Sequence, residues 1–201
     1  MITLIEAAGW PIYLLLIASL VAVALITERA LYLRSKKIVP PTLLDEVVQE
    51  LKQRGVSLQM LAKLSEGSPL GKVFAAGLKN IKSAPEVMKE SIEEAGRSAA
   101  HDLERFLTTL GTIASISPLL GLFGTVIGMI EIFGSQNAGG AAPTELAHGI
   151  SVALYNTAYG LIVAVPSMIA YRHFRAQVDS LTIEMEQQAI KLVEIVHGER
   201  K

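Results

Sequence analysis

From Phe106 to Ile130 the chain reads FLTTLGTIASISPLLGLFGTVIGMI, a run of 25 residues without one Asp, Glu, Lys, Arg or His. Two further runs share this property, Ala7 to Thr27 and Gly149 to Tyr171, of 21 and 23 residues. At about 1.5 Å of rise per residue they give helices of roughly 31 to 38 Å, enough to cross a hydrocarbon layer of about 30 Å. The expected fold is therefore all-α: a polytopic membrane protein with three transmembrane helices. Orientation follows from the basic residues. The segment before the first run and residues 131–148 hold no Lys or Arg, whereas residues 28–105 hold 13 and residues 172–201 hold five. The positive-inside rule then predicts an outside N-terminus and a cytoplasmic C-terminus.

Composition narrows the function classes. The chain has 201 residues, 51% of them hydrophobic, 18% charged, with a formal net charge of −1. Its cytoplasmic parts mix both signs, so no block reads as a nucleic-acid surface. The run Arg34-Ser35-Lys36-Lys37 reads as a topology anchor beside the first span. There is no cysteine, which excludes disulfides, iron–sulfur clusters and thiol catalysis. The first span carries its positive charge after the apolar core (Arg29, Arg34, Lys36, Lys37), the reverse of a signal peptide, and is expected to be an uncleaved anchor.

Punctuation along the chain divides it into residues 1–39 (first span and its cytoplasmic end), 40–82 (a small cytoplasmic helical subdomain), 83–130 (a long helix entering the second span), 131–148 (an external loop), 149–171 (third span) and 172–201 (a cytoplasmic C-terminal helix). Pro40-Pro41 ends the first segment. Thr42 with Asp45 predicts a capping box opening a helix that runs to Arg54 and stops at Gly55. Ser57 to Ser65 and Leu70 to Lys82 predict two more short helices. Ser83 with Glu86 predicts a second capping box. Met88, Ile92, Ala95, Ala99, Leu103, Phe106 and Leu110 then recur by threes and fours, which predicts one helix running unbroken from the cytoplasm into the second span. Val178, Leu181, Met185, Leu192 and Val196 predict the same inward continuation of the third. These stripes pack either within one subunit or between subunits.

The spans differ in character. The first is nearly uniformly apolar and suits a lipid-facing helix. The second places Gly121, Gly124, Thr125 and Gly128 on one face, and the third places Gly149, Ala153, Asn156, Gly160, Ala164 and Ser167 on another. Faces of small residues let helix backbones approach closely in a bilayer, so one reading is tight packing of the second span on the third. A second reading comes from the number of polar side chains: Thr108, Thr109, Thr112, Ser115, Ser117 and Thr125 in one span, with Ser151, Tyr155, Asn156, Thr157, Tyr159 and Ser167 in the other. As a set they suit a surface facing a cavity or a partner's polar group. Pro118 and Pro166 would each free a backbone carbonyl near it.

No Asp, Glu, Lys, Arg or His lies within any of the three runs, so a proton relay or ion-coupled carrier would need its titrating group from another chain. Glu28, Glu131, Glu145 and His148 fall near membrane edges, where snorkelling accounts for them. The four histidines show no metal-ligand spacing, and no phosphate loop, nucleophile elbow or zinc motif is present, so neither an enzyme nor a cofactor or metal site is expected.

The segment Ser117-Pro-Leu-Leu-Gly-Leu-Phe-Gly-Thr-Val-Ile-Gly-Met129, with Gly149-Ile150, Leu154, Thr157-Ala158, Gly160-Leu161 and Pro166 behind it, closely resembles the signature of the ExbB/TolQ/MotA proton-channel family. The three-span layout resembles ExbB and TolQ more than the four-span MotA branch. The resemblance implies a homopentamer in the bacterial inner membrane whose second and third spans line a pore, with the N-terminus and the loop of residues 131–148 periplasmic. That pore would enclose helices of an ExbD-type single-span partner bearing a membrane Asp, and proton flow would drive a TonB-type protein and outer-membrane transport. It assigns Thr125 and Thr157 as the polar pore pair; from the polar and small-residue faces read above, Asn156 and Tyr155 are expected along the same pathway and Pro118, Gly121, Gly124, Gly128, Gly160 and Pro166 in helix packing. One position departs: many ExbB and TolQ proteins carry a Glu five residues before the second Thr, where this chain has Val152. A TolQ-like role in envelope maintenance or motility is the nearest alternative, and a non-conducting membrane scaffold a more distant one.

Overall fold

The computed structural model describes residues 9–134 and 143–198, without the side chains of residues 143–146, 148 and 152. The Gly/Ala-rich run Ala138 to Ala142 and the side chains of Glu145, His148 and Val152 therefore lie outside the described residues. Every regular element described is helical: α1 (Pro11–Tyr32), α2 (Ser35–Ile38), α3 (Leu43–Arg54), α4 (Leu58–Glu66), α5 (Pro69–Lys79), α6 (Pro85–Glu104), α7 (Leu107–Gly134) and α8 (Pro143–Val196). Three stretches are long and apolar enough to cross a membrane, within Pro11–Tyr32, Pro85–Gly134 and Gly149–Val196. The chain divides into two compact units, Met1–Arg29 with Phe106–His173 and Ala30–Arg105 with Phe174–Lys201.

The first unit holds the apolar helices. Pro11 opens α1 in the first helical turn, where its missing N–H costs nothing. Ile12, Leu15 and Ala22 are buried, while Ile17 and Leu20 remain 62% and 73% exposed. A helix apolar on both its packed and its open sides is one whose solvent is lipid. Trp10 meets Phe123 of α7 edge to face, ring centroids 5.9 Å apart. Pro118 and Pro166 sit inside α7 and α8 without ending either helix, as membrane helices tolerate.

The second unit is a helical subdomain with its own core. Phe74, Leu78, Met88, Leu103 and Leu192 are fully buried, joined by Val178, Leu181, Met185 and Ala189 from the later part of α8. Gly77 on α5 lets Ile92 of α6 approach so closely that a Cβ would stand 2.7 Å from it. Asn80 donates to Ser91 Oγ at 2.6 Å, and Ser91 donates on to the Val87 carbonyl, tying the α5–α6 turn to α6. Gly55 ends α3 at φ +68, a conformation open to glycine.

Both expected capping boxes fail to form. Thr42 has helical rather than extended backbone angles, so its hydroxyl caps no N–H of the first turn; it donates to the Glu46 carboxylate at 2.7 Å. The helix after Ser83 begins with Ala84 as its cap and Pro85 in the first turn, which leaves Ser83 one residue too early. The working caps are Ser57, accepting from Met60 N, and Ser68, accepting from Gly71 N, both at 3.1 Å.

The helix expected to run unbroken into the second span is interrupted at Arg105-Phe106. Arg105 is extended (φ −49, ψ 136) and Phe106 is left-handed at φ +66. The ladder closes with Arg105 N on Asp102 O and reopens with Leu110 N on Phe106 O. A non-glycine residue there costs about 1–2 kcal/mol. The Phe106 ring partly offsets this by lying under the Arg29 guanidinium, 5.4 Å from carbon to centroid.

Candidate functional site

The α7–α8 seam in the first unit is where the predicted residues converge, and backbone proximity defines it. A Cβ on Gly160 would stand 2.6 Å from the Ser117 carbonyl oxygen and 3.1 Å from Gly121 Cα. One on Gly121 would stand 2.7 Å from Asn156 O and 2.9 Å from Thr157 Cα, and one on Gly124 would meet the Asn156 side chain at 2.7 Å. A Cβ on Gly128 would stand 3.3 Å from Ala153 Cβ, and one on Gly111 would stand 3.1 Å from the Tyr171 ring. Ser117, Asn156 and Ser167 are about 1% exposed in this seam. Contact at these distances between backbones is available only to residues lacking side chains.

The other predicted site residues take different positions. Thr125 and Thr157 are half-buried: Thr125 follows Gly124 on α7, and Thr157 has its Cα against Gly121. Tyr155 is 44% exposed and points away from the buried face, Pro118 is half-buried, and Pro166 is exposed. Thr108, Thr112, Ser115 and Ser151 are also exposed.

Six of the hydroxyl protons are committed to their own helices. Thr112 donates to Thr108 O, Ser115 to Gly111 O, Ser117 to Ile113 O, Thr125 to Leu122 O, Ser151 to Ala147 O and Ser167 to Val163 O, at 2.6–2.9 Å. A hydroxyl whose proton is bound to its own helix still offers oxygen lone pairs to a neighbour. Chemically, then, these side chains present acceptors: they suit water, or a carboxyl group in its protonated, donating form.

Arg29 was not singled out by its sequence position. It is 2% exposed, held by the Glu28 carboxylate (Nη2 to Oε1 2.7 Å) and stacked on Phe106. An Arg just past an apolar run reads as a snorkelling anchor, and only the ring brought over it by the Phe106 turn reveals its burial. Among the described residues no three His, Asp or Glu side chains form a metal-binding group.

Three apolar helices, two of them locked through glycines beside a hydroxyl-bearing surface, define a multi-pass membrane protein built for close helix assembly. Residues 65–187 match the MotA/TolQ/ExbB proton channel family, and the chain belongs to that family. It is 32% identical over 161 residues to the ExbB-like 3 protein of Synechocystis sp., covering 79% of this chain and 77% of that one. It is 33% identical over 144 residues to the Tol-Pal system protein TolQ of Pseudomonas aeruginosa, 63% of this chain and 62% of that protein. A 70-residue segment is 49% identical to the biopolymer transport protein exbB1 of Vibrio cholerae, 34% of this chain and 31% of the relative. The matches thus span less than two thirds of the TolQ and exbB1 relatives.

Proposed function

We propose that this chain is the pore-forming stator subunit of a proton-motive-force-driven, ExbB-like complex in the bacterial inner membrane, with a periplasmic N-terminus and a cytoplasmic C-terminus. Five copies surround an ExbD-type single-span partner, and the complex energises a TonB-type protein. α7 and α8 line the pore, with Thr125, Thr157 and Tyr155 along it; Asn156, expected beside them, is instead buried in the glycine seam that holds the pair together.

The observation that carries this reading is a hydroxyl-bearing surface on two membrane helices whose spans hold no Asp, Glu, Lys, Arg or His. A charged Asp at the centre of a span costs about 2.5–3.5 kcal/mol on insertion scales, a penalty this chain avoids. A partner's Asp beside Thr125 meets an oxygen whose proton is bound to Leu122 O. Protonated, the Asp donates to that oxygen. Ionised, it is an acceptor facing an acceptor and gains only if the hydroxyl leaves its own helix. The two protonation states therefore prefer different contacts, and a proton falling through 100 mV releases about 2.3 kcal/mol to bias the exchange.

Proteoliposomes test this. The chain alone should leak few protons; adding the partner should open a flux that vanishes when the partner's Asp becomes Asn. Substantial conductance by this chain alone would overturn the assignment of the titrating group. The TolQ match over 144 residues favours one other reading, the same motor serving envelope maintenance, which restoration of detergent resistance rather than siderophore uptake in the corresponding deletion strains would identify.

A further inference from the structure

The basic run after the first span is built more firmly than a topology signal requires. α2 begins three residues after the end of α1, and its single turn is closed by Arg34 before it and Val39 after it. Arg34 O accepts from Lys37 N at 2.8 Å and from Ile38 N at 3.3 Å, and Val39 N donates to Ser35 O at 2.8 Å. Leu33, Ile38 and Val39 are 1–3% exposed, and Gln177 of α8 donates to the Leu33 carbonyl. The short segment is thus pinned at both ends by burial.

What it displays is the opposite of buried. Arg34, Lys36 and Lys37 are all exposed, and none makes an ion pair among the described residues. Leu31 and Tyr32, 52% and 41% exposed, immediately precede them. Three unpaired cations on a fixed backbone, next to an apolar and an aromatic side chain at a membrane edge, match the two halves of a phospholipid: an anionic phosphodiester and the glycerol–acyl junction.

We propose that Arg34, Lys36 and Lys37 bind the phosphodiester headgroup of an anionic phospholipid in the leaflet where α1 ends, with Leu31 and Tyr32 against its acyl region. The site depends on α1 spanning the membrane and is independent of the pore reading, so either can fail without the other. The lipid anchors the inner end of the first span to the bilayer surface. Each basic residue near an anionic surface adds on the order of fivefold in affinity at moderate salt, falling as salt screens it.

Fluorescent phosphatidylglycerol titrated into the full chain in maltoside micelles provides the test, with phosphatidylcholine and inorganic phosphate as comparisons. Phosphatidylglycerol should bind saturably, and Lys36→Gln/Lys37→Gln should weaken it by roughly tenfold or more. That pair leaves Arg34 in place to preserve topology, and the single Lys36→Gln variant should give a few-fold loss. Lys52→Gln/Arg54→Gln, exposed cations at the end of α3, should bind as the wild type does. Unchanged affinity in the Lys36/Lys37 variant, or equal binding of phosphatidylcholine, would overturn the site. Displacement of the lipid by an equal concentration of inorganic phosphate would reassign it to soluble anions.

Discussion

Adding one methyl group at Gly160 tests the seam most directly. The new Cβ would lie 2.6 Å from Ser117 O, and backbone on α7 cannot rotate away as a side chain could. Ordinary contact starts near 3.4 Å, so the two helices must separate locally by about 0.8 Å. Separation loosens the Gly121 and Gly124 contacts together, because they lie on the same face. Overpacking of this kind costs typically 1–3 kcal/mol. Alanine's better helix propensity returns about 0.5–1 kcal/mol, so the net loss is on the order of 1–2 kcal/mol. Gly96→Ala on α6 is the matched control: a Cβ there meets nothing within 4 Å, so only the propensity gain remains. Thermal unfolding in detergent can be followed by circular dichroism and by fluorescence of Trp10, the single tryptophan, which touches Phe123 of α7. At roughly 2–4 °C per kcal/mol for a chain of this size, Gly160→Ala should lower Tm by several degrees while Gly96→Ala raises it slightly. A Gly160→Ala Tm at or above wild type would mean that the backbones do not approach as described.

The remaining expectations concern the hydroxyls, the orientation and the turn before α7. Thr125→Val and Thr157→Val keep shape but remove an acceptor, so the fold should survive with a wild-type Tm while partner-dependent proton flux falls severalfold. Wild-type flux in both would make them packing residues. With no native cysteine in the way, Ala138→Cys should react with an impermeant thiol reagent in spheroplasts and Ser65→Cys should not; the reverse pattern would invert the topology. Phe106→Gly and Phe106→Ala both lose the Arg29 contact but differ in their tolerance of φ +66, so the Gly variant should be the more stable by about 1 kcal/mol, and equality would remove the left-handed turn.

Charge distribution alone carried the three apolar helices and the all-α class, because an uncharged run of 21–25 residues has few alternatives to a spanning helix. Gly55 as a stop and the passage of α8 through Pro166 were likewise legible, the first from glycine's access to positive φ and the second from an unbroken 3.6-residue period on either side of the proline. The glycine spacing said that a close approach exists; only packing said that Gly160 meets Ser117 and Gly124 meets Asn156, because a partner across a seam depends on helix rotation and register. The break at Phe106 was invisible for a related reason. Neither Arg105 nor Phe106 is a helix breaker, and the periodicity of Ala99, Leu103, Phe106 and Leu110 crosses the site undisturbed. A left-handed phenylalanine is stable only where tertiary contacts, here the buried Arg29 over its ring, offset a local preference for continuing the helix. Capping followed the same division: Thr42 has the right side chain, but its backbone lies in the helical region at φ −92, ψ −9 rather than in the extended conformation an N-cap adopts, and the spacing of Thr42 and Asp45 does not show that.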